Sequence, residues 1–549
     1  MTPPLLVISD AAAAIGADSG GATQAIAVVL ILLVVATALA LLARRIGIPY
    51  PILLVLGGLA LGFVPGLPPI ELEPEIVFLL FLPPILFGAG YFTSLRDFKR
   101  NLRPITLLSV GLVVFTTIAV AVAAAALVPG MGLAAAFALG AIVAPPDAVA
   151  ATTVFQRLGV PRRVVSILEG ESLVNDATAL VAYRFAIIAA STGTFSIANA
   201  GFTFVAVAVG GVAFGLLMGL ILAWALRRID DPVFSVVLTL LAPVAIYLPA
   251  EQFFHLSGVL ATVAAGIWVG RNAPREMSSS VRLAGTAAWQ VVLFLINGTV
   301  FILIGAQLRS VLQGLGEYTP AQLVGLAVAI SAVVIVVRIL WVFPGTYVPR
   351  ALSAGIRVRE PYPPPRNVFI VSWAGMRGVV SLAAALALPL YLSDGVTPFP
   401  FRDLIIYLAF AVILATLVGQ GLTLPFFIRR LGVAADQGDV HEEAHARMTT
   451  AEAAVERIEE VAREWPDHLE LIDALRAQYN HQASHIDPHH DEALDESEQE
   501  LLEHRRIRGA VVEAEREALL QMFERGAVTD DVFRRVERDL DLEELRMEA

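Results

Sequence analysis

Between residues 22 and 429 the chain alternates long apolar runs with short polar breaks, and most runs reach eighteen residues or more. A helix of that length crosses the hydrocarbon core of a bilayer, about 30 Å thick. The pattern predicts thirteen helices, at roughly 23–43, 50–66, 74–92, 104–128, 131–156, 164–190, 197–226, 232–250, 257–270, 286–308, 320–348, 366–390 and 402–428. The expected fold class is therefore an all-α polytopic membrane protein.

The polar breaks carry a second pattern. Alternate loops hold Arg44/Arg45, then Arg96/Lys99/Arg100/Arg103, Arg157/Arg162/Arg163, Arg227/Arg228 and Arg271/Arg275/Arg282. The series continues with Arg350/Arg357/Arg359/Arg366 and ends at Arg429/Arg430, while the intervening loops have Arg309 and Arg402. Basic loops stay on the cytoplasmic side. A multi-pass plasma-membrane protein is expected, with its N-terminus outside and its C-terminus in the cytoplasm. A miscounted helix would break the alternation partway along, and it runs unbroken.

Two of the runs read as interrupted. In AIVAPPDAVAATT, Pro145 and Pro146 fall mid-helix, where they remove backbone donors and force the chain to unwind. In SWAGMRGVVSL, Gly375 and Gly378 flank Arg377. With one helix between two sets of six, the fifth and twelfth helices become equivalents in two inverted repeats. Broken crossover helices in corresponding positions point to a binding site near the bilayer midplane. Two ordinary helices kinked by Pro and Gly are the alternative.

Charge then divides the chain. Residues 434–549 carry 32 of its 50 acids and 13 of its 38 basic residues, so the overall charge of −12 is a tail at −19 joined to a membrane portion at +7. Three segments follow: 1–22, extracytoplasmic; 23–433, transmembrane; and 434–549, an acidic helical cytoplasmic tail. The N-terminal stretch has no basic n-region and does not read as a cleaved signal peptide. There is no cysteine, which excludes disulfides and thiolate metal sites.

Asp147, Glu169, Glu171 and Asp176 lie within the apolar runs, with Glu251 near an edge. A charge at the bilayer centre costs about 2.5–3.5 kcal/mol even on lenient scales, so these positions are candidates for function. Asp147 adjoins the double proline, where freed carbonyls and a half-helix end could help hold an ion. Ser172, Asn175 and Asp176 fall three and four residues apart, on one helical face. A carboxylate, an amide oxygen and a hydroxyl suit a hard cation such as sodium. A carboxylate also binds a proton, and one site that takes either is the minimum device for exchange. Arg184, Arg338 and Arg377 are also intramembrane, and Glu171 is a partner for one of them or an ion ligand. Glu169 suits helix-end solvation or a cytoplasmic mouth that attracts cations. Arg184 reads as reaching toward the outer interface.

FLPPILF with AGYF in the third helix, PPDAVA in the fifth, GESLVND in the sixth and GMRGVVSL in the twelfth together resemble the monovalent cation:proton antiporter-1 family, the sodium/proton exchangers. The resemblance covers roughly residues 25–430. The tail ending RGAVTDDVFRRVERDLDLEELR is similar to the bacterial subgroup with a long cytoplasmic C-terminus. The resemblance implies thirteen helices in two inverted six-helix repeats, a homodimer, and elevator-like movement of a core domain against a dimer domain. It implies Asp176 as the shared cation and proton carrier, with Asn175, Ser172 and Asp147 around it. An Asn-Asp pair goes with electroneutral one-for-one exchange. Glu171 would pair with Arg338, and Arg377 would neutralise the fifth-helix crossover. Two positions depart from the pattern: Gly88 stands where the third helix usually has an acid, and Pro146 and Ala148 replace the usual threonine and proline around Asp147. Those losses keep potassium beside sodium as a candidate ion.

In the tail, Met448, Ala451, Val455, Ile458, Ala462 and Trp465 repeat at helical spacing, suited to a coiled coil between protomers or to packing on helices downstream. A second helix is expected at about 497–526, carrying Ile507, Val511, Ala514, Leu519 and Met522. His481, His485, His489 and His490, with Asp487 and Asp491, read as a solvated linker, a metal site or a pH sensor.

The expected function is secondary exchange of sodium, or potassium, for protons. A sensor that keeps this fold and signals through its tail to an unknown ligand is the second reading, and a channel the third. A channel would conduct ohmically where an exchanger saturates. No phosphate-binding loop is visible, so an ATP-driven pump is not expected, and the chain is read as a transporter and not an enzyme. No cofactor, no metal beyond the transported cation and no nucleic-acid partner is expected.

Overall fold

The computed structural model describes the chain apart from residues 1–18, 64–76, 193–196, 317, 393, 395, 434–436, 465–468, 485–509, 526, 529 and 549. The chain divides into two compact units, Met1–Ala435 and Asp436–Ala549.

The first unit is helical. Its first half contains α1 (Ser19–Ile46), α2 (Tyr50–Gly62), α3 (Leu82–Phe92), α4 (Leu102–Leu127), α5 (Leu133–Val143), α6 (Val149–Leu158) and α7 (Arg162–Thr192). It continues with α8 (Ile197–Leu226), α9 (Pro232–Phe253), α10 (Gly258–Glu276), α11 (Ser279–Ala306) and α12 (Pro320–Leu352). It ends with α13 (Pro365–Trp373), α14 (Val379–Leu386) and α15 (Arg402–Arg430). Among the described residues seven helices are long and apolar enough to cross a membrane: α4, α7, α8, α9, α11, α12 and α15. Shorter apolar helices include α2, α5 and the stretch Phe78–Phe92.

The unit is apolar on the outside as well as within. Val34 on α1, Phe202 and Val209 on α8, Phe234 and Leu241 on α9 and Val328 on α12 are all exposed. In water such a surface would aggregate; in hydrocarbon it costs nothing. With no hydrophobic gain from helix association in lipid, close packing must hold the helices together. Small residues provide it. A Cβ on Gly90 of α3 would run into the backbone of α10, and one on Gly305 of α11 into that of α2.

Two helices break where the sequence predicts. α5 stops at Val143 because Pro145 and Pro146 supply no N–H and disfavour helical geometry before them. The chain resumes as α6 after Asp147, whose Oδ1 accepts the N–H of Val149 at 2.9 Å. Likewise α13 ends at Trp373 and α14 begins at Val379, with residues 374–378 non-helical between them. The breaks meet: the N–H of Asp147 donates to the carbonyl of Met376 at 2.7 Å. Behind them α15 is the most enclosed of the seven long helices, and its Thr416 Oγ1 accepts the N–H of Arg377 at 3.1 Å.

The second unit contains α16 (Gln437–Glu464), α17 (Leu469–Ser484), α18 (510–524) and α19 (Asp530–Glu548). The small-residue stripe of α16 packs on α17, where Ala451 and Ile472 are buried. Of the two partners expected for that stripe, the downstream helix is the one seen. α18 buries Val512 and Leu519 against Leu540 of α19. Val511 and Met522, expected on the apolar face, are exposed instead. Trp465, Ile507, His485, His489, His490, Asp487 and Asp491 lie outside the described residues, and nothing is described of the His481 side chain.

Candidate functional site

A cavity of about 190 Å³ lies where α7 passes the two broken helices. α7 supplies Glu169, Ser172, Leu173 and Asp176, spaced at one, three and four residues so that they share a face. The α5–α6 break supplies Pro145, Pro146 and Asp147, and the start of α14 supplies Gly378 to Ser381. α3 closes one side with Leu82, Ile85 and Ala89, and α11 contributes Asn297. Among the described residues the lining holds three carboxylates and no basic side chain.

Asp147 sits between two helix starts. Its carboxylate accepts from the first turn of α6, and a Cβ added to Gly378, just before α14, would collide with that same carboxylate. Both helix N-termini present partial positive charge to it. Asp176 is buried and lines the same cavity as Asp147. No hydrogen bond or ion pair from the described residues reaches its carboxylate.

Asn175 does not line the cavity. Consecutive helical residues are turned by about 100°, and this carries its side chain to the crossover, where Nδ2 donates to the carbonyl of Pro146 at 2.7 Å. That carbonyl is one that the proline break leaves unpaired within the helix. Oδ1 of Asn175 is buried without a partner. Ser172 does face the cavity, so the three residues expected on one face divide between two.

Glu171 also faces away. Its two carboxylate oxygens accept from Nη1 and Nη2 of Arg338 on α12 at 2.6 and 2.8 Å, both side chains being essentially inaccessible. Nε and Nη2 of Arg338 also donate to the carbonyl of Val371 at 3.3 and 3.1 Å. This two-pronged geometry suits a planar guanidinium, and it ties α7 and α12 to the last turn of α13. A Cβ on Gly375 would strike the Arg338 side chain, so glycine there makes room for the guanidinium.

Arg377 lies at the fifth-helix crossover, and no carboxylate among the described residues hydrogen-bonds to it. Nε donates to the carbonyl of Val143 at 3.0 Å, Nη2 to that of Ala144 at 3.4 Å, and Nη1 to that of Gly375. The last carbonyls of a helix have no intrahelical donors and carry partial negative charge. Arg377 supplies both donors and charge at the end of α5. Glu251 and Arg184 form an ion pair, and Glu251 Oε2 also accepts the N–H of Gly258 at the start of α10. Arg184 thus has a carboxylate partner, with its side chain about half exposed.

Two cavity residues escaped the sequence reading. Oδ1 of Asn297 and Oγ of Ser381 are buried in the lining without hydrogen-bond partners. A lone asparagine within FLINGTVFIL was the available signal for the first. Gly88 is also clarified: it is buried, and a Cβ there would press on Leu293 of α11. The cavity instead takes its neighbours Ile85, Leu86 and Ala89.

Comparison with known proteins agrees in direction. The family described as sodium/hydrogen exchanger, transmembrane, matches residues 28–430. An uncharacterised Na+/H+ exchanger of Mycobacterium tuberculosis is 35% identical over 515 residues, covering 92% of this chain and 93% of its own length. A sodium, potassium, lithium and rubidium/H+ antiporter of Bacillus subtilis is 34% identical over 495 residues, covering 88% of this chain and 72% of its own. Among solved structures, the sodium proton antiporter MjNhaP1 of Methanocaldococcus jannaschii shares the fold, with a TM-score of 0.56 at 19% identity, over 74% of this chain and 98% of that one.

Proposed function

The chain belongs to the sodium/hydrogen exchanger family, and from that premise we propose that it exchanges sodium for protons at Asp176, one carboxylate that each ion occupies in turn. The observation that carries this reading is the cavity lining: three carboxylates and no base, at the meeting of two broken helices. Two carboxylates in one low-dielectric cavity need a proton or a cation between them. Asp147, Ser172 and the freed backbone carbonyls complete the oxygen donors, and Asn175 holds the crossover through Pro146. Glu169, nearest the Arg162 end of α7, serves as the mouth. The Glu171–Arg338 pair and Arg377 hold the frame.

One proton for one monovalent cation at one carboxylate moves no net charge, so exchange is electroneutral. The cavity opens to each side in turn through elevator-like movement of the core, within a homodimer of thirteen-helix protomers. Each protomer sits in the plasma membrane with its N-terminus outside and its acidic tail in the cytoplasm as a regulatory segment. Potassium is the second candidate ion. Gly88 supports it by withholding a further acid from the third helix, as does the breadth of ions named for the Bacillus subtilis relative.

Cation-dependent proton flux in proteoliposomes tests the reading, with sodium, lithium and potassium offered to the wild type and to Asp176→Asn. Saturable flux, abolished in the variant and insensitive to voltage, is expected. Undiminished flux in the variant would move the carrier elsewhere. Absence of flux with every cation, in folded protein, would favour a sensor built on this fold.

A further inference from the structure

Away from the carboxylate cavity, a second cavity of about 170 Å³ opens between the first turn of α4, the start of α7, the end of α12 and α13. Its chemistry is opposite. Arg103, Arg163 and Arg350 line it, and among the described residues no carboxylate does. Its remaining walls are mostly apolar, with Leu107 and Leu108 from α4, Ile167 from α7 and Val342 from α12, and Thr346 and Asn367 as the other polar residues.

The local charge is incompletely answered. Glu360 stands behind the lining, and one of its carboxylate oxygens accepts from both Arg103 Nη2 at 3.0 Å and Arg350 Nη2 at 2.9 Å. Arg350 Nε donates to the Glu360 carbonyl at 3.1 Å. Arg163 Nε donates to the neutral Asn101 at 3.2 Å. One carboxylate therefore pairs with two of the three guanidinium groups, and among the described residues Arg163 pairs with no carboxylate. Moreover, Nε and Nη1 of Arg103 are buried with no hydrogen-bond partner, although the side chain as a whole is 31% exposed and so within reach from outside. A guanidinium offers five donors and no acceptor, and unused buried donors beside excess positive charge call for an oxyanion. Phosphate matches that fork geometry, and basic pockets between membrane helices bind anionic headgroups.

We infer that this pocket binds a phosphate group, held by Arg103, Arg163 and Arg350, either as the headgroup of an anionic phospholipid or as free phosphate. Ligand there bridges α4, α7 and α12. It lies one turn of α7 before Glu171 and borders Val371, the carbonyl partner of Arg338, so occupancy stiffens the frame around the transport cavity.

The test uses purified full-length protein and reads thermal unfolding, with native mass spectrometry counting bound lipid. Inorganic phosphate is compared with chloride at equal ionic strength, and phosphatidylglycerol nanodiscs with phosphatidylcholine ones. At least one probe is expected to raise the melting temperature saturably. Arg103→Gln and Arg163→Gln should each weaken that probe roughly tenfold, the loss of one charged hydrogen bond. Arg228→Gln, which removes a guanidinium stacked on Trp224, should leave the effect unchanged. A shift with inorganic phosphate assigns the free ion, and a shift with phosphatidylglycerol alone assigns the lipid headgroup. No shift beyond the controls, or a shift that both arginine variants retain in full, overturns the proposal. Neither readout depends on transport, so failure here and failure of cation exchange at Asp176 are separately visible.

Discussion

Asp147 and Met376 join the two broken helices by one backbone hydrogen bond of 2.7 Å, and the carboxylate cavity lies at that crossing. Gly378 lets the approach happen, since a side chain there would enter the space of the Asp147 carboxylate. Gly378→Ala should therefore push Asp147 away from the starts of α6 and α14. Overpacking of this kind costs about 1–3 kcal/mol. A lower melting temperature is expected, with proton flux reduced roughly tenfold or more, the equivalent of ~1.4 kcal/mol on the barrier. Unaltered flux would mean that the crossing tolerates displacement of Asp147.

Glu171 and Arg338 meet with two short hydrogen bonds in a site closed to solvent. Removing one partner strands a buried charge, at a cost of about 3–5 kcal/mol. Glu171→Gln should lower the unfolding temperature sharply, whereas replacing both residues with apolar ones of similar size should recover much of the loss. The interaction energy from such a double-mutant cycle is the check. A single variant as stable as the wild type would remove this pair from the frame.

Much of this frame was legible in the sequence because it rests on backbone rules. Pro145 and Pro146 cannot continue a helix, and α5 ends before them. The alternation of apolar runs gave the order of the helices. Side-chain direction was less legible. Asn175 and Asp176 are adjacent, and periodicity alone did not say which of them would turn toward Pro146 and which toward the cavity. Arg184 and Glu251 meet across 67 residues of chain, a pairing no local pattern encodes. Asn297 lies in an apolar run of α11, far from any motif, so its place in the cavity emerges only when α11 packs against α3 and α14. In the tail, Val511 and Val512 are neighbours, and packing against α19 chose the second.

Asp394, in the loop between α14 and α15, accepts from the N–H groups of Val396 and Thr397 at 3.0 and 2.9 Å and from the Thr397 hydroxyl. These bonds, the hydroxyl foremost, hold its carboxyl below the usual carboxylate range. A carboxyl depressed on folding favours the ordered loop above its unfolded value, and the benefit fades as pH falls through the folded one. Protection at Val396 and Thr397, taken relative to the intrinsic amide exchange rate at each pH, should accordingly be high near neutrality and fall in strong acid. Asp394→Ala should show low protection at every pH. Equal protection in that variant would assign the loop's order to the Tyr391–Pro398 bridge alone.

Asn297 and Ser381 bring two buried oxygens without partners to the cavity that holds Asp147 and Asp176. A buried acceptor left unmade costs about 1–3 kcal/mol, and a cation in the cavity is a partner that both could share. If they are ligands, their loss must act on cation binding and spare the carrier itself. Asn297→Ala and Ser381→Ala should each raise the cation concentration for half-maximal exchange roughly tenfold, about 1.4 kcal/mol of binding, with little change in maximal flux. Their effects should differ between sodium and potassium, because the number of oxygen donors and the room around them set cation choice. A fall in maximal flux at unchanged half-saturation would instead place both residues in the movement of the core, and unaltered kinetics would leave their oxygens to ordered water.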